Sequence, residues 1–327
     1  MTHELRLSLS LILPPMNTPL ASDISRRNFI ATLGLGAAAS YVLPNALKAQ
    51  TASTKPKHEI AFLEKWFFDG ANGGPLKYTY DQMAQTCDEI GLDLELTLRK
   101  KGHISPENAP DELPKMAEAL AKKNRKMLFV AMDTVRADEP HWEKALRTAK
   151  ALGIKQYRHR GFMYQGTRSL KSQIADFKII AKEFAAANKE IGIQALYQTH
   201  AMPQMAGSAC WDLDLILDDI DPRYFGIAFD TRHVMVEQGL SWPNAIKLLA
   251  PRIAALCLKD FRWVGDNPIG VPLGQGNVKK KIVDEVLATH GGTLPMCIHI
   301  EHRKLEAIPF NNRHDIVEAF KADKRAL

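Results

Sequence analysis

Three short stretches join apolar residues to groups that can hold a charge or move a proton: Asp230-Thr231-Arg232-His233, Cys257-Leu258-Lys259-Asp260 and Ile298-His299-Ile300-Glu301. A carboxylate can take a proton, an imidazole can pass one on, and a fixed ammonium can hold a developing oxyanion. Side chains alternate across a β-strand, so every second residue shares a face. On that rule Asp93, Glu95 and Thr97 go together, and so do Leu196, Gln198 and His200. Gly226, Ala228 and Asp230 form a third set, with His233 one turn later, followed by Cys257 with Lys259 and by Cys297, His299 and Glu301. One choice of face aims Glu95, Gln198, His200, Asp230, Lys259 and Glu301 into a common mouth. Burying such charges unpaired costs on the order of several kcal/mol per ion, so a polar ligand or a metal is expected there.

The elements that must position these groups repeat. Short apolar runs centre on Ile60–Leu63, Leu92–Leu98, Lys126–Met132, Ile154–Tyr157, Ile193–Tyr197, Phe225–Phe229, Ile253–Leu258 and Pro295–Ile300, spaced roughly 30 to 40 residues apart. That is the spacing of βα units. Pro110-Asp111-Glu112-Leu113 opens one intervening helix, Leu170 to Ile191 forms a long amphipathic one, and Ser241-Trp242-Pro243-Asn244 reads as a capped start. Gly91, Gly153 and Gly192 each stand just before a strand, where glycine suits a left-handed helix end. Eight such units favour a closed single-domain (β/α)8 barrel over residues 58–327, with catalytic groups at the C-terminal strand ends. An open doubly wound sheet would advertise a Gly-rich phosphate loop after its first strand. Here Trp66-Phe67-Phe68-Asp69-Gly70 follows, and Gly73-Gly74 makes no GxGxxG, so no nucleotide cofactor is expected.

The first 49 residues read as a cleavable export signal. Ser25-Arg26-Arg27-Asn28-Phe29-Ile30 is a twin-arginine pair, an Ala- and Gly-rich apolar run reaches Leu43, and Ala46-Leu47-Lys48-Ala49 offers a small residue for cleavage. The expected partner is the twin-arginine (Tat) export machinery, the expected location the periplasm or another exported site, and residues 50–57 a linker. No membrane span is expected in the mature chain, since the apolar run falls short of the about 20 residues a spanning helix needs. Met16 is an alternative start. The chain carries 43 Lys and Arg against 37 Asp and Glu, a net +6, and loses only four cations and two anions with the signal. With no basic block or aromatic-interleaved stripe, nucleic-acid binding gains no support. Cys87, Cys210, Cys257 and Cys297 form no CxxC pair and read as packed thiols, with a disulfide as the alternative in an oxidising compartment.

Five motifs carry a resemblance. Gly102-His103-Ile104, Asp230-Thr231-Arg232-His233, Cys257-Leu258-Lys259-Asp260, Val271-Pro272-Leu273-Gly274-Gln275-Gly276 and Ile298-His299-Ile300-Glu301 fall in order at strand ends. Together they resemble the xylose-isomerase-like sugar phosphate isomerase/epimerase family over most of residues 58–303. The resemblance implies a sugar or polyol substrate and a divalent metal (Mn, Mg, Co or Zn) held by Glu, Asp, His and Glu from strands five to eight. Carried over by position, Gln198 replaces the first ligand and Cys257 the third, while Asp230 and Glu301 are kept. Gln198, Asp230 and Glu301 are thus the implied metal positions. Glutamine is no base, and a thiolate prefers softer metals than carboxylate oxygens do. Either His200 or His299 replaces a lost ligand, or Lys259, Glu95 and the histidines carry the acid–base work.

The resulting expectation is a sugar isomerase or epimerase that abstracts a proton next to a carbonyl, with Glu301, Lys259 and His233 as catalytic groups. Glu95, His103, Arg160 and His200 are the expected substrate contacts. His103 can instead make a loop hydrogen bond, and Arg158, His159 and Arg160 suit a phosphate or carboxylate if inward and a solvated edge if outward. A lyase or hydrolase of oxidised glycosides needs only one base and one acid, and a non-catalytic sugar-binding barrel needs neither. Export favours a non-phosphorylated sugar.

Overall fold

The computed structural model describes residues 58–67, 78–302 and 313–327. The export signal, the linker, Phe68-Asp69-Gly70 and Gly73-Gly74 lie outside the described residues. The strands are β1 (Ile60–Leu63), β2 (Asp93–Thr97), β3 (Met127–Ala131), β4 (Gln156–His159), β5 (Gln194–Gln198), β6 (Phe225–Asp230), β7 (Ile253–Leu258), β8 (Asp260–Val264), β9 (Asn267–Val271) and β10 (Met296–Ile298). The helices are α1 (Tyr80–Ile90), α2 (Ala109–Ala121), α3 (Trp142–Ala151), α4 (Leu170–Ile191), α5 (Trp211–Leu217), α6 (Thr231–Gln238), α7 (Trp242–Leu249), α8 (Lys280–Ala288) and α9 (Arg313–Arg325). Eight strands close in the order β1-β10-β7-β6-β5-β4-β3-β2, with parallel neighbours, and β8 and β9 form a separate antiparallel hairpin. Among the described residues no helix is long and apolar enough to cross a membrane.

Strand residues of one parity pack outward against the helices, as Phe62, Leu94, Val130, Ile227 and Leu256 do in the main core. The other parity fills the barrel with Ala61, Leu63, Phe129, Leu196, Ala228 and Ala255. Small residues at two of these places, Ala228 and Ala255, leave room beside the long side chains of Glu95 and Arg158.

The helix-to-strand turns share one device. Cys87 O accepts from both Gly91 N and Leu92 N, and Asn188 O from both Gly192 N and Ile193 N. The glycines sit at φ 76° in both cases, where a Cβ would be strained. Ile154 N likewise returns to Ala149 O at 3.1 Å, just after Gly153. This explains why β4 runs over Gln156–His159 rather than centring on Ile154–Tyr157: Ile154 still closes α3, and pairing with β3 starts at Phe129↔Gln156. Ser241 does not cap α7 through its side chain. A short 3-10 turn, Gly239–Ser241, precedes the helix, and the Ser241 hydroxyl donates to Gln238 O at 2.7 Å.

The β8–β9 hairpin was not expected from the sequence. Its two-residue turn, Gly265-Asp266 with Gly265 at φ 57°, is a recognisable hairpin signal that the barrel pattern overshadowed.

Candidate active site

The mouth is organised around Lys259. Thr231 Oγ1 accepts from Lys259 N at 3.2 Å and donates to Lys259 O at 2.9 Å, which fixes the chain where β7 ends. The Lys259 ammonium then lies 3.2 Å from Asp230 Oδ2, 3.5 Å from Glu301 Oε1 and 3.1 Å from His233 Nε2. Lys259 is only 5% exposed. Burial works against its charge, but Asp230 and Glu301 outweigh that and raise its pKa.

Asp230 is the most constrained group. Its backbone N–H donates to Thr199 Oγ1 at 2.9 Å, its Oδ1 caps α6 by accepting from His233 N at 3.1 Å, and its Oδ2 accepts from Gln198 Nε2 at 2.8 Å. Burial opposes its ionisation, yet the Lys259 ammonium and the hydrogen bond from the His233 backbone N–H hold its carboxyl well below the ordinary range. Glu301 accepts from Lys65 Nζ at 2.6 Å, and Lys259 and Lys65 likewise outweigh burial and keep it ionised. His233 is driven the other way. Burial, with the Lys259 charge among the other causes, keeps its imidazole neutral despite Asp230. The His200 ring stacks on it at 4.7 Å, and burial lowers the His200 pKa to about 4.

A second cluster lies beside the first. Arg158 Nε donates to Glu95 Oε1 at 2.5 Å, and Arg158 Nη1 to Gln198 Oε1 at 2.8 Å. Glu95 Oε2 meets His299 Nε2 at 2.8 Å and accepts from the Cys297 thiol at 2.7 Å. Gln198 therefore bridges the clusters, with its oxygen turned to Arg158 and its nitrogen to Asp230. The Arg158 Nη2 atom is buried without a hydrogen-bond partner among the described residues.

Glu95, Gln198, His200, Asp230, His233, Lys259 and Glu301 come together at one end of the barrel, with Glu95 deepest. His103 and Arg160 stand apart from this cluster. His103 sits among loop groups, with Nε2 3.2 Å from Tyr78 O and Nδ1 3.5 Å from Glu64 Oε2. Arg160 is exposed on the rim of a cavity of about 440 Å³ that opens above the site. The three-residue basic cluster splits by strand parity: Arg158 points in, and His159 is buried among Phe162, Phe184 and Phe225, where burial lowers its pKa to about 3. Arg158 and Lys65 are the functional groups the sequence reading left out of its site. Arg158 was legible from alternation once β4 is begun at Gln156.

Parts of the motifs prove to be scaffolding. Asp260 accepts from Phe261 N, Gly276 N and Val278 N at 2.7, 2.8 and 2.9 Å, tying the Pro272–Gly276 loop to the end of β7. A Cβ on Gly276 would lie 2.2 Å from Phe261 O, so only glycine fits that approach. Arg232 Nη2 donates to Pro268 O at 2.8 Å, pinning β9 to α6.

The four positions that the sequence resemblance assigns to a metal do not fit a hard divalent cation. Gln198 turns a nitrogen donor toward Asp230, the Lys259 ammonium already lies between Asp230 and Glu301, and burial raises the Cys257 pKa far above its usual value. Among the described residues, two groups of three are compact enough to hold a softer ion: Glu95, Cys297 and His299, and Asp230, Cys257 and His299. The first is closed by its own hydrogen bonds. All four cysteines are buried and free. Cys257 and Cys297 are register partners on β7 and β10.

A closed parallel eight-strand barrel with ionisable groups gathered at the C-terminal strand ends is the architecture of a (β/α)8 barrel with a mouth site. The chain belongs to the xylose isomerase-like TIM barrel family, whose sequence model matches residues 95–322. No curated protein sequence matches it. Among solved structures it is similar to the IOLI protein with a bound zinc atom, at a TM-score of 0.62 and 16% identity, over 82% of this chain and 96% of that one. It is also similar to D-allulose 3-epimerase from Methylomonas sp. in complex with D-allulose (TM-score 0.58, 14% identity, 82% and 96% covered). A third similar structure is the probable 3-DHS dehydratase AsbF from Bacillus anthracis (TM-score 0.56, 14% identity, 77% and 94% covered). Identities this low speak to fold.

Proposed function

We propose that the chain is an enzyme that moves a proton at a carbon next to the carbonyl of a sugar or sugar-like polyol, as an isomerase or epimerase. The observation that carries this reading is a buried ammonium, Lys259, in reach of two ionised carboxylates and a neutral imidazole. Glu301 takes the proton. The C–H electron pair becomes the enolate double bond, and the carbonyl π pair moves to oxygen, where Lys259 donates a hydrogen bond to the negative charge. His233, held neutral, relays a proton between that oxygen and solvent. Asp230 and Thr231 position Lys259 and touch no substrate. Each step uses groups of this chain. Glu95, Gln198 and His200 form the floor on which the substrate rests. The D-allulose 3-epimerase structure supports a sugar by likeness of fold.

A second reading has a specific observation behind it. Gln198 cannot act as a base, so among the described residues Glu301 is the single carboxylate poised to take a proton. Elimination from an oxidised sugar needs one base and one acid, and the similarity to a probable dehydratase points the same way. Both readings share the first step. Export through the twin-arginine route to the periplasm is part of the proposal, resting on Ser25-Arg26-Arg27 and the apolar run after it.

The test is to incubate the protein with a panel of keto-sugars in D2O and follow deuterium entry next to the carbonyl by NMR. Exchange by the wild type and its loss in Glu301→Gln are expected. Binding without exchange across the panel would leave a sugar-binding barrel, and unchanged exchange in E301Q would remove Glu301 from the chemistry.

A further inference from the structure

We propose that the substrate carries an anionic group, a carboxylate or a phosphate ester, and that the rim beyond β2 and β4 binds it. The inference names the substrate class of the proposed enzyme and so rests on that reading.

The cavity above the site is lined by Lys65, Arg99, Lys100, Lys101, Arg158 and Arg160, with Asp133 as its one acidic residue. The inner cations are matched: Arg158 with Glu95, Lys65 and Lys259 with Glu301, and Lys259 with Asp230. The outer four are not. Among the described residues, Arg99, Lys100, Lys101 and Arg160 have no carboxylate within 4.0 Å. Cations on the outer helices behave differently, as in Lys115 with Glu112, Arg147 with Glu143 and Lys178 with Asp218. Lack of acidic residues in the chain therefore does not explain the rim. Two further facts agree. Burial, and next the neighbouring Arg158, lower the Arg99 pKa to about 10 against the opposing pull of Glu95, Asp133 and Glu64, so the two guanidinium groups stand close enough to repel. Arg158 also retains a buried N–H group with no partner among the described residues.

Neutral sugars need a mixture of donors and acceptors for their hydroxyls. This wall offers almost only donors, and guanidinium groups in particular pair with carboxylate and phosphate oxygens. Three features join the rim to the chemistry: Lys65 touches Glu301, His200 stacks on His233, and Arg158 binds Glu95 and Gln198. One molecule can thus present a carbonyl to Lys259 and an anion to Arg160. Export of the chain favours a carboxylate over a phosphate ester.

Calorimetric titration of the full chain with D-glucose, D-glucuronate and D-glucose 6-phosphate tests this without needing turnover. At least one anion should bind tenfold or more tightly than glucose and weaken as salt is added. Glucuronate ahead of the phosphate assigns a carboxylate, and the reverse order a phosphate. Arg160→Ala should lose about tenfold in anion affinity with its circular dichroism unchanged, and Arg160→Lys should recover most of it. Equal binding of glucose and both anions, binding of none of the three, or full anion affinity in R160A overturns the proposal. Anion-selective binding with no proton exchange would sink the enzymatic reading and leave this one standing. Exchange on neutral sugars with no anion preference would do the opposite.

Discussion

The two sides of the mouth are built on opposite electrostatic plans. Around the ends of β6, β7 and β10 the charges are paired: Lys259 lies within 3.5 Å of both Asp230 and Glu301, and Thr199, Thr231 and Gln198 hold the backbones and the Asp230 oxygen in place. Beyond β2 and β4, Arg99, Lys100, Lys101 and Arg160 stand with little to balance them. A saturated network is rigid and keeps a fixed geometry before any ligand arrives, as transition-state stabilisation demands. An unsaturated rim exposes charge whose partner arrives with the ligand. On the proposed reading, the first side does the chemistry and the second chooses what enters.

The comparison can be broken most severely at Lys259. Lys259→Met should lower kcat at least about 1,000-fold, roughly 4 kcal/mol of transition-state stabilisation, measured by steady-state turnover on the best substrate of the exchange panel. A tenfold loss would mean that the saturated side is structural only. Asp230→Ala should cost about 3–5 kcal/mol in urea unfolding, because it strands the buried Lys259 charge and removes the α6 cap. Arg160→Ala should stay within about 0.5 kcal/mol of wild type in the same assay, since it strands nothing. If the two variants are equally stable, the contrast between the sides disappears. Gly276→Ala should cost about 1–3 kcal/mol, read as a lower melting temperature, because its Cβ meets Phe261 O and the Asp260 carboxylate.

Acid should act first on the buried histidines. The buried His200 and His299 have pKa values near 4, and that of His159 is about 3, all below the unfolded value of about 6.5. Between those limits the unfolded chain binds protons that the folded chain refuses, so stability falls as pH drops from about 6.5 toward 4. The depressed carboxylates Glu95, Asp230 and Glu301 add a further loss as pH falls below their ordinary range of about 4. Melting temperatures from pH 8 to 4 should be level at first and then decline below about 6.5. A melting temperature that stays level down to pH 4 would mean that the histidines are not buried neutral.

The barrel was legible because its signals are local and repeated. Hydrophobic runs, amphipathic segments and the glycines at 91, 153 and 192 marked eight βα units, and alternation alone brought Asp230, Lys259 and Glu301 to one mouth. What stayed hidden depends on residues distant in sequence. No local pattern shows that Lys65 reaches Glu301, 236 positions away, or that Arg158 spans Glu95 and Gln198. Lys259 and Asp260 stand side by side in one motif. Alternation sends Lys259 into the mouth and Asp260 to the loop amides of Gly276 and Val278, so neighbours in sequence carry different tasks. His103 stood in a resembling motif, yet its partners are Tyr78 and Glu64.

The central claim is that the Lys259 ammonium supplies the positive charge for proton transfer at this mouth. The direct test is deuterium exchange next to the carbonyl of a bound sugar acid, catalysed by protein dialysed against a strong chelator. Exchange at the undialysed rate, with loss in K259M, is the expected result. Exchange that vanishes on chelation and returns with added zinc, through Asp230, Cys257 and His299, would contradict it.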